Sequence, residues 1–280
     1  MDSSSAPSYN AFDTTSRRLV VAIDFGVTFT RVAYLFYVPQ FGNQPYRISQ
    51  EISLVRRWNN LNNDTDDKTP SIIAYHTQPP TWGANVSPTD HPQAKYFKLG
   101  LEPKAQEQYK GSLARMTFDE ARRGTRAANK QPEDLMADYL ALLLQHGETS
   151  EILGDISNNH QVHYVITVPA LWSDLAIERT KLAAARAGIP LNQLQLIREP
   201  EAAALYCTIM GPDVYFQPNE KFMVCDAGGG RVVILHSNIS HCRTLLLTVC
   251  ATFLNLGLNS GLPVPVLPAA LFFSMKALRI

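Results

Sequence analysis

Residues 18–36 read RLVVAIDFGVTFTRVAYLF, and the fold turns on how this stretch doubles back on itself. Residues 19–23 are almost continuously apolar, the pattern of a strand covered on both faces. Residues 29–36 are rich in aromatic and β-branched side chains, which favour a second strand. Between the two lie Asp24 and, two residues on, Gly26. The spacing predicts an acidic residue at a strand end followed by a tight turn. Glycine there lets backbone N–H groups approach an anion with no side chain between.

A second stretch has the same design. Residues 222–234 read FMVCDAGGGRVVI: an apolar run ends at Asp226, passes Gly228, Gly229 and Gly230, and leaves through another apolar run. Each turn returns into a strand and not into a helix, and GxxxxGK[ST] is absent, which excludes the Walker P-loop. An Asp-Gly hairpin alone is ordinarily just a turn. Two of them, each after a buried strand, can grip a polyphosphate from both sides, with Asp24 and Asp226 holding Mg²⁺ through its waters.

The chain between the hairpins reads as alternating strands and helices. Residues 40–130 shift toward Asn, Asp, Pro and Gln and read as a smaller, loop-rich insertion. A helix is predicted over 132–146, with Pro132, Glu133 and Asp134 in its first turn and Gly147 ending it. Leu135, Met136, Tyr139, Leu140, Leu142 and Leu143 form its apolar face. A strand over 162–168 is closed by Pro169. Ser173 is placed to cap the next helix, DLAIERTKLAAARAG, which stops at Gly188 and Pro190. A strand over 194–197 then runs into Glu199, which precedes Pro200. A residue before proline is biased to extended backbone, so Glu199 is expected at a strand end, aimed into a cleft. Pro200 starts a further helix. This alternation is that of an α/β protein.

Composition narrows the function classes. The 280 residues are 45% hydrophobic and 18% charged, sufficient for a real core. Lys plus Arg and Asp plus Glu balance at 25 each, so no net field favours nucleic acid or an anionic membrane. Cys207, Cys225, Cys242 and Cys250 have no metal-ligand spacing, and a reducing, cytoplasmic compartment is expected. Residues 1–16 carry no secretory pattern and read as a disordered lead-in. Trp58, Trp82 and Trp172 are expected to fill the core or subdomain interfaces.

The paired hairpins, with YVITVPALWSDLAIERTKLAAARAG and LQLIREPEAAALY between them in that order, resemble the actin-like ATPase domain of the seventy-kilodalton heat-shock protein family. The flanks of the first hairpin, with YFKLGLEP, resemble the divergent heat-shock-like proteins of fungi. The resemblance covers residues 17–230. It implies a ribonuclease H-like, actin-like α/β lobe over 17–210, an inserted subdomain over about 40–130, and the start of a second lobe over 219–235. It also implies ATP and Mg²⁺ as ligands, chaperone-type ATPase activity, and client and co-chaperone proteins as partners. By the same resemblance Asp24 and Asp226 hold the magnesium, Gly26 and Thr28 line one phosphate turn, and Gly228, Gly229 and Gly230 line the other. Glu199 reaches the metal shell or orients the attacking water. Lys98, with Lys95 close by, matches the lysine that meets the γ-phosphate, and Pro169 matches a proline hinge.

The sequence departs from that pattern in three places. Where the family carries threonine after the first turn's glycine, this chain has Val27. Where the family's second turn goes on with Thr and then Asp, it has Arg231 and Val233. These losses remove a hydroxyl and a carboxylate near the γ-phosphate, so impaired hydrolysis is expected; the alternative is a non-hydrolysing nucleotide-sensing or interaction module. Residues 236–280 form a divergent apolar tail with no family counterpart, read as the product of truncation. Its longest apolar run, about 245–258, is shorter than the roughly 20 residues that span a bilayer, so membrane insertion is not expected.

Overall fold

A computed structural model describes residues 18–37, 52–58, 66–104, 114–149, 161–203, 221–227, 232–238 and 276–279. In chain order the strands begin with β1 (Arg18–Phe25), β2 (Phe29–Tyr37), β3 (Ser53–Leu54) and β4 (Thr69–Pro70). There follow β5 (Ile72–Ala74), β6 (Thr81–Trp82), β7 (Gln93–Lys95), β8 (Gln161–Val168) and β9 (Leu194–Arg198). The last are β10 (Lys221–Ala227), β11 (Val232–Asn238) and β12 (Lys276–Arg279). The helices are α1 (Ala114–Ala128), α2 (Pro132–Thr149) and α3 (Asp174–Arg186).

The principal sheet runs β3-β2-β1-β8-β9, with β4 also paired to β2. β1 and β2 form the expected antiparallel hairpin, from Arg18 opposite Tyr37 to Phe25 opposite Thr30. β8 lies parallel to β1, and β9 parallel to β8, with α3 in the crossover. This mixed α/β arrangement is consistent with an actin-like ATPase fold. Its consequence for function is geometric. β1, β8 and β9 are neighbours pointing the same way, so their carboxyl ends open on one edge of the sheet.

α2 closes one side of the core. Leu135, Met136, Tyr139, Leu140 and Leu143 are buried on it, as their spacing predicts. Burying each such side chain contributes about 1.5–3 kcal/mol. Tyr139 sits at the centre, its ring 5.7 Å from Phe25 and 6.0 Å from Phe97. Trp58, Trp82 and Trp172 are buried as well. Gly147 does not end the helix: α2 runs on to Thr149, with Gly147 buried inside it.

The stretch read as loop-rich contains more regular structure than its composition predicts. β5, β6 and β7 form a small antiparallel sheet of order β6-β5-β7. Beside it lies α1, which buries Phe118, Ala121 and Gly124 at a spacing of three. A Cβ on Gly124 would stand 2.9 Å from Ala94 Cα, so helix and strand are packed backbone to backbone.

A separate sheet has the order β11-β10-β12. β10 and β11 are antiparallel from Lys221 opposite Asn238 to Ala227 opposite Val232, which sets Asp226 opposite Val233. The two strands of the second predicted hairpin therefore form. Gly228, Gly229, Gly230 and Arg231 lie outside the described residues, as do the lead-in and most of the tail. The tail is not wholly without partners, because Lys276–Arg279 pairs antiparallel with β10. Among the described residues, no helix is long and apolar enough to cross a membrane.

Candidate functional site

Strand register brings the two carboxylates of the site to one edge. Ile23 pairs with Ile166, the last pair of that ladder, so Asp24, one residue before the end of β1, lies beside Thr167 of β8. Val168 pairs with Arg198, so Glu199 follows β9 on the same edge. The carboxyl ends of parallel strands are where open α/β sheets take their ligands.

Asp24 is partly buried, and its Oδ1 accepts a hydrogen bond from Thr167 Oγ1 at 2.8 Å. Burial pushes its carboxyl up to about 6 against the ordinary 3.8. The Lys98 charge works the other way, Glu199 adds to the rise, and Thr167 and Arg31 offset part of it. A carboxylate with so little water around it has much to gain from a nearby cation. Its oxygens are the hard donors that Mg²⁺ takes. No cluster of three metal-ligating side chains occurs among the described residues.

Past Asp24 the chain turns through Gly26, Val27 and Thr28. Gly26 N–H donates to Phe29 O at 3.0 Å, closing the turn. A Cβ on Gly26 would lie 2.3 Å from that carbonyl oxygen, so glycine is required by contact. The N–H groups of Val27 and Thr28 take part in none of the backbone bonds that close the turn. Behind it, Ser71 Oγ donates to Gly26 O at 2.9 Å and Ser71 N–H to Thr28 O at 2.9 Å.

Lys98 enters from a 3₁₀ turn, Phe97–Leu101. The residue before that turn, Tyr96, has φ 57° and ψ 16°, a left-handed conformation that redirects the chain sharply after β7. Lys98 is 2% exposed, and its Nζ lies 2.8 Å from Glu199 Oε1. The ammonium also stands 5.8 Å from the Phe25 ring and 5.5 Å from the Trp172 ring. Lys95, the other lysine in the motif, is much more exposed and lies 3.9 Å from Glu120. Of the two, the fold brings Lys98 to the strand ends.

Glu199 departs from expectation in backbone. β9 ends at Arg198 and Glu199 is the first helical residue, not an extended strand end. The pre-proline bias is overridden where the Lys98 contact and the helix start coincide. Pro169 is buried, and its carbonyl accepts from Trp172 N–H at 3.2 Å in the turn that leads into α3.

Sequence reasoning missed Thr167, Ser71 and Glu102. Glu102 is 5% exposed and follows the Lys98 turn. Its Oε2 accepts from Ser173 N–H at 2.7 Å and its Oε1 from Lys104 N–H at 3.0 Å. Burial opposes its charge, but these bonds and the nearby Ser173 hydroxyl outweigh that and hold the carboxyl below its ordinary value. Arg179 of α3 reaches the carbonyls of Gly100 and Leu101 at 3.5 and 3.4 Å. The Lys98 turn is thus tied to α3 by contacts from both sides. No motif announces them.

Of the residues expected at the site, Asp24, Gly26, Thr28, Lys98 and Glu199 occupy one region of the principal sheet. Asp226 is the penultimate residue of β10, in a separate sheet, with its side chain outside the described residues.

No protein-family model matches the chain. Over 215 residues, 71% of this chain and 30% of the relative, it is 30% identical to human heat shock 70 kDa protein 12A. The mouse protein of the same name is 31% identical over 208 residues, 68% of this chain and 28% of the relative. A chaperone protein HscA homolog of Verminephrobacter eiseniae is 46% identical over 109 residues, 38% of this chain and 15% of that protein. Homology over part of the chain therefore supports a nucleotide-binding domain of the seventy-kilodalton heat-shock type. The matched stretch spans less than a third of these relatives.

Proposed function

We propose that the chain carries a Mg·ATP-binding domain of the chaperone type, in which hydrolysis is slow. The observation that carries this reading is the convergence of Asp24, Thr167, Lys98 and Glu199 at neighbouring strand ends, beside the glycine turn.

In this reading the residues divide the work. Asp24 and Asp226 would hold Mg²⁺. The turn carrying Gly26 and Thr28 lines one side of the polyphosphate, and Gly228, Gly229 and Gly230 line the other. When bound, the metal neutralises phosphate charge. Thr167 fixes the Asp24 carboxylate through Oδ1, so its orientation is set before any ligand arrives. Lys98 is already held as a cation by Glu199, and an incoming γ-phosphate would share that charge. Glu199, relieved of part of its partner, would then accept a hydrogen bond from the attacking water and align it.

The replacements at Val27, Arg231 and Val233 act on rate more than on affinity. Backbone N–H groups and the metal supply most of the binding, while the absent hydroxyl and carboxylate would act on the transferring phosphate. Arg231 also offers a bidentate donor that can hold product phosphate in place. By kinship with proteins named as heat-shock proteins and chaperones, the domain would serve client and co-chaperone proteins in the cytoplasm.

The test is single-turnover hydrolysis with Mg·ATP in excess of its Kd, on the wild type and on the triple variant Val27→Thr, Arg231→Thr, Val233→Asp. A rise in rate of about tenfold or more with little change in Kd supports the reading. A wild-type rate already equal to that of the variant refutes the assignment of slow hydrolysis to these positions.

A further inference from the structure

We propose that Ser71 is a positioning residue for the phosphate turn, orienting the backbone of residues 26–28 so that the Val27 N–H is presented to an anion. This inference rests on the nucleotide-binding reading above and adds to it a residue that no motif contains.

Ser71 lies between β4 and β5 and is 4% exposed. It is carried to the turn by the pairing of β4 with β2, Phe29 opposite Pro70 and Thr30 opposite Thr69. Tyr139, fully buried, donates from its hydroxyl to Pro70 O at 2.9 Å and fixes that segment from the core side. From this anchored position one residue takes up two carbonyls of the turn. Its Oγ donates to Gly26 O and its N–H to Thr28 O, each at 2.9 Å.

The hydroxyl is itself held. Thr30 Oγ1, in a residue with no exposure, lies 2.9 Å from Ser71 Oγ. A serine hydroxyl carries one proton. Ser71 commits its proton to Gly26 O, so Thr30 is the donor in this second bond. The relay runs Thr30 to Ser71 to Gly26.

The effect on the turn follows from peptide geometry. In a trans peptide the C=O and the next residue's N–H point in opposite directions. Fixing Gly26 C=O toward Ser71 therefore fixes Val27 N–H away from it. Val27 has no hydroxyl, so this N–H is the donor its position can offer a phosphate. Preorganised donors of this kind act without reorganisation when charge arrives. Ser71 thus sets the direction of a binding group that it does not form itself.

The experiment compares wild type, Ser71→Ala and Thr30→Val by calorimetry with Mg·ATP and with inorganic triphosphate. Measurements are made well below each protein's melting temperature, and amide exchange at Val27 is followed without ligand. Ser71→Ala is expected to weaken both ligands about tenfold and to speed exchange at Val27, with a smaller loss, about threefold, for Thr30→Val. A merely structural role would lower the melting temperature and leave both affinities unchanged, and that result overturns the proposal. Should Ser71→Ala not fold, Thr30→Val, which keeps the volume, decides: unchanged affinity and exchange overturn the proposal. Binding of neither ligand by the wild type refutes the nucleotide reading itself, and this inference with it.

Discussion

Lys98 and Glu199 are 101 residues apart in the chain, yet Lys98 Nζ lies 2.8 Å from Glu199 Oε1 with both side chains largely withdrawn from water. A buried pair of this kind is weak evidence of stability by itself, because desolvation offsets most of the attraction. Its meaning is positional. It places one cation and one carboxylate beside Asp24, at the edge where β1, β8 and β9 end.

Breaking that pair from one side is expected to be costly. Lys98→Met leaves the Glu199 charge without its partner and should lower stability by about 2–4 kcal/mol. The double variant Lys98→Met, Glu199→Leu should recover most of the loss. Urea denaturation of the three proteins checks this, and a double variant no more stable than the single one counts against the pair.

Asp24 gives a prediction with a definite sign. Its carboxyl is pushed up to about 6 in the folded chain from an ordinary 3.8. The folded state therefore holds the proton more tightly than the unfolded state between those values, and stability falls as pH rises through that window. Asp24→Asn keeps an acceptor for Thr167 and removes the charge. At pH 7, without ligand, it should be more stable than wild type by about 1–2 kcal/mol. Its stability should also be flatter from pH 4 to 6, which denaturation at a series of pH values would detect.

Glu102 has the opposite sign. Its bonds from Ser173 and Lys104 outweigh the burial that opposes its charge, so its carboxyl sits below the ordinary 4.5. That stabilisation is fully present above pH 4.5 and is lost as pH falls through the depressed value. Glu102→Gln gives up a charge-assisted bond and should cost about 1–2 kcal/mol at neutral pH, with a shallower acid limb. A variant that denatures in acid along the wild-type curve would show that Glu102 is not the group responsible.

Gly26→Ala tests the turn directly. The added Cβ meets a backbone oxygen at 2.3 Å, and a backbone oxygen cannot rotate away as a side-chain end can. A loss of about 2 kcal/mol or more in stability is expected, with the β1–β2 hairpin distorted. Thermal denaturation with near-ultraviolet circular dichroism reads both, and an unperturbed variant would refute the close contact.

What was legible in the sequence was what local pattern encodes. The apolar run of residues 19–23 and the aromatic run after Gly26 specify the β1–β2 hairpin, and Asp24 follows from its place at the strand end. The face of α2 was legible from its period. α1 was not: its sequence, ARMTFDEARRGTRAA, has few large apolar residues, and its buried stripe is made of Phe118, Ala121 and a glycine. Small residues bury little area, so composition reads such a helix as loop. The polar framework was hidden for another reason. Thr167 meets Asp24 across 143 residues, and Ser71 meets Gly26 across 45. A lone serine or threonine carries no signal until the register is known. Lys98 and Lys95 look alike in sequence, and only the left-handed Tyr96 between them and the turn that follows separate a buried lysine from an exposed one.

Calorimetric titration with Mg·ATP of the wild type and of Asp24→Asn decides whether the carboxylate at the β1 end serves nucleotide binding. The wild type should bind, and the variant, although more stable without ligand, should bind at least about tenfold more weakly if Asp24 has this role. Equal affinity in the two proteins, or no binding by the wild type, would contradict it.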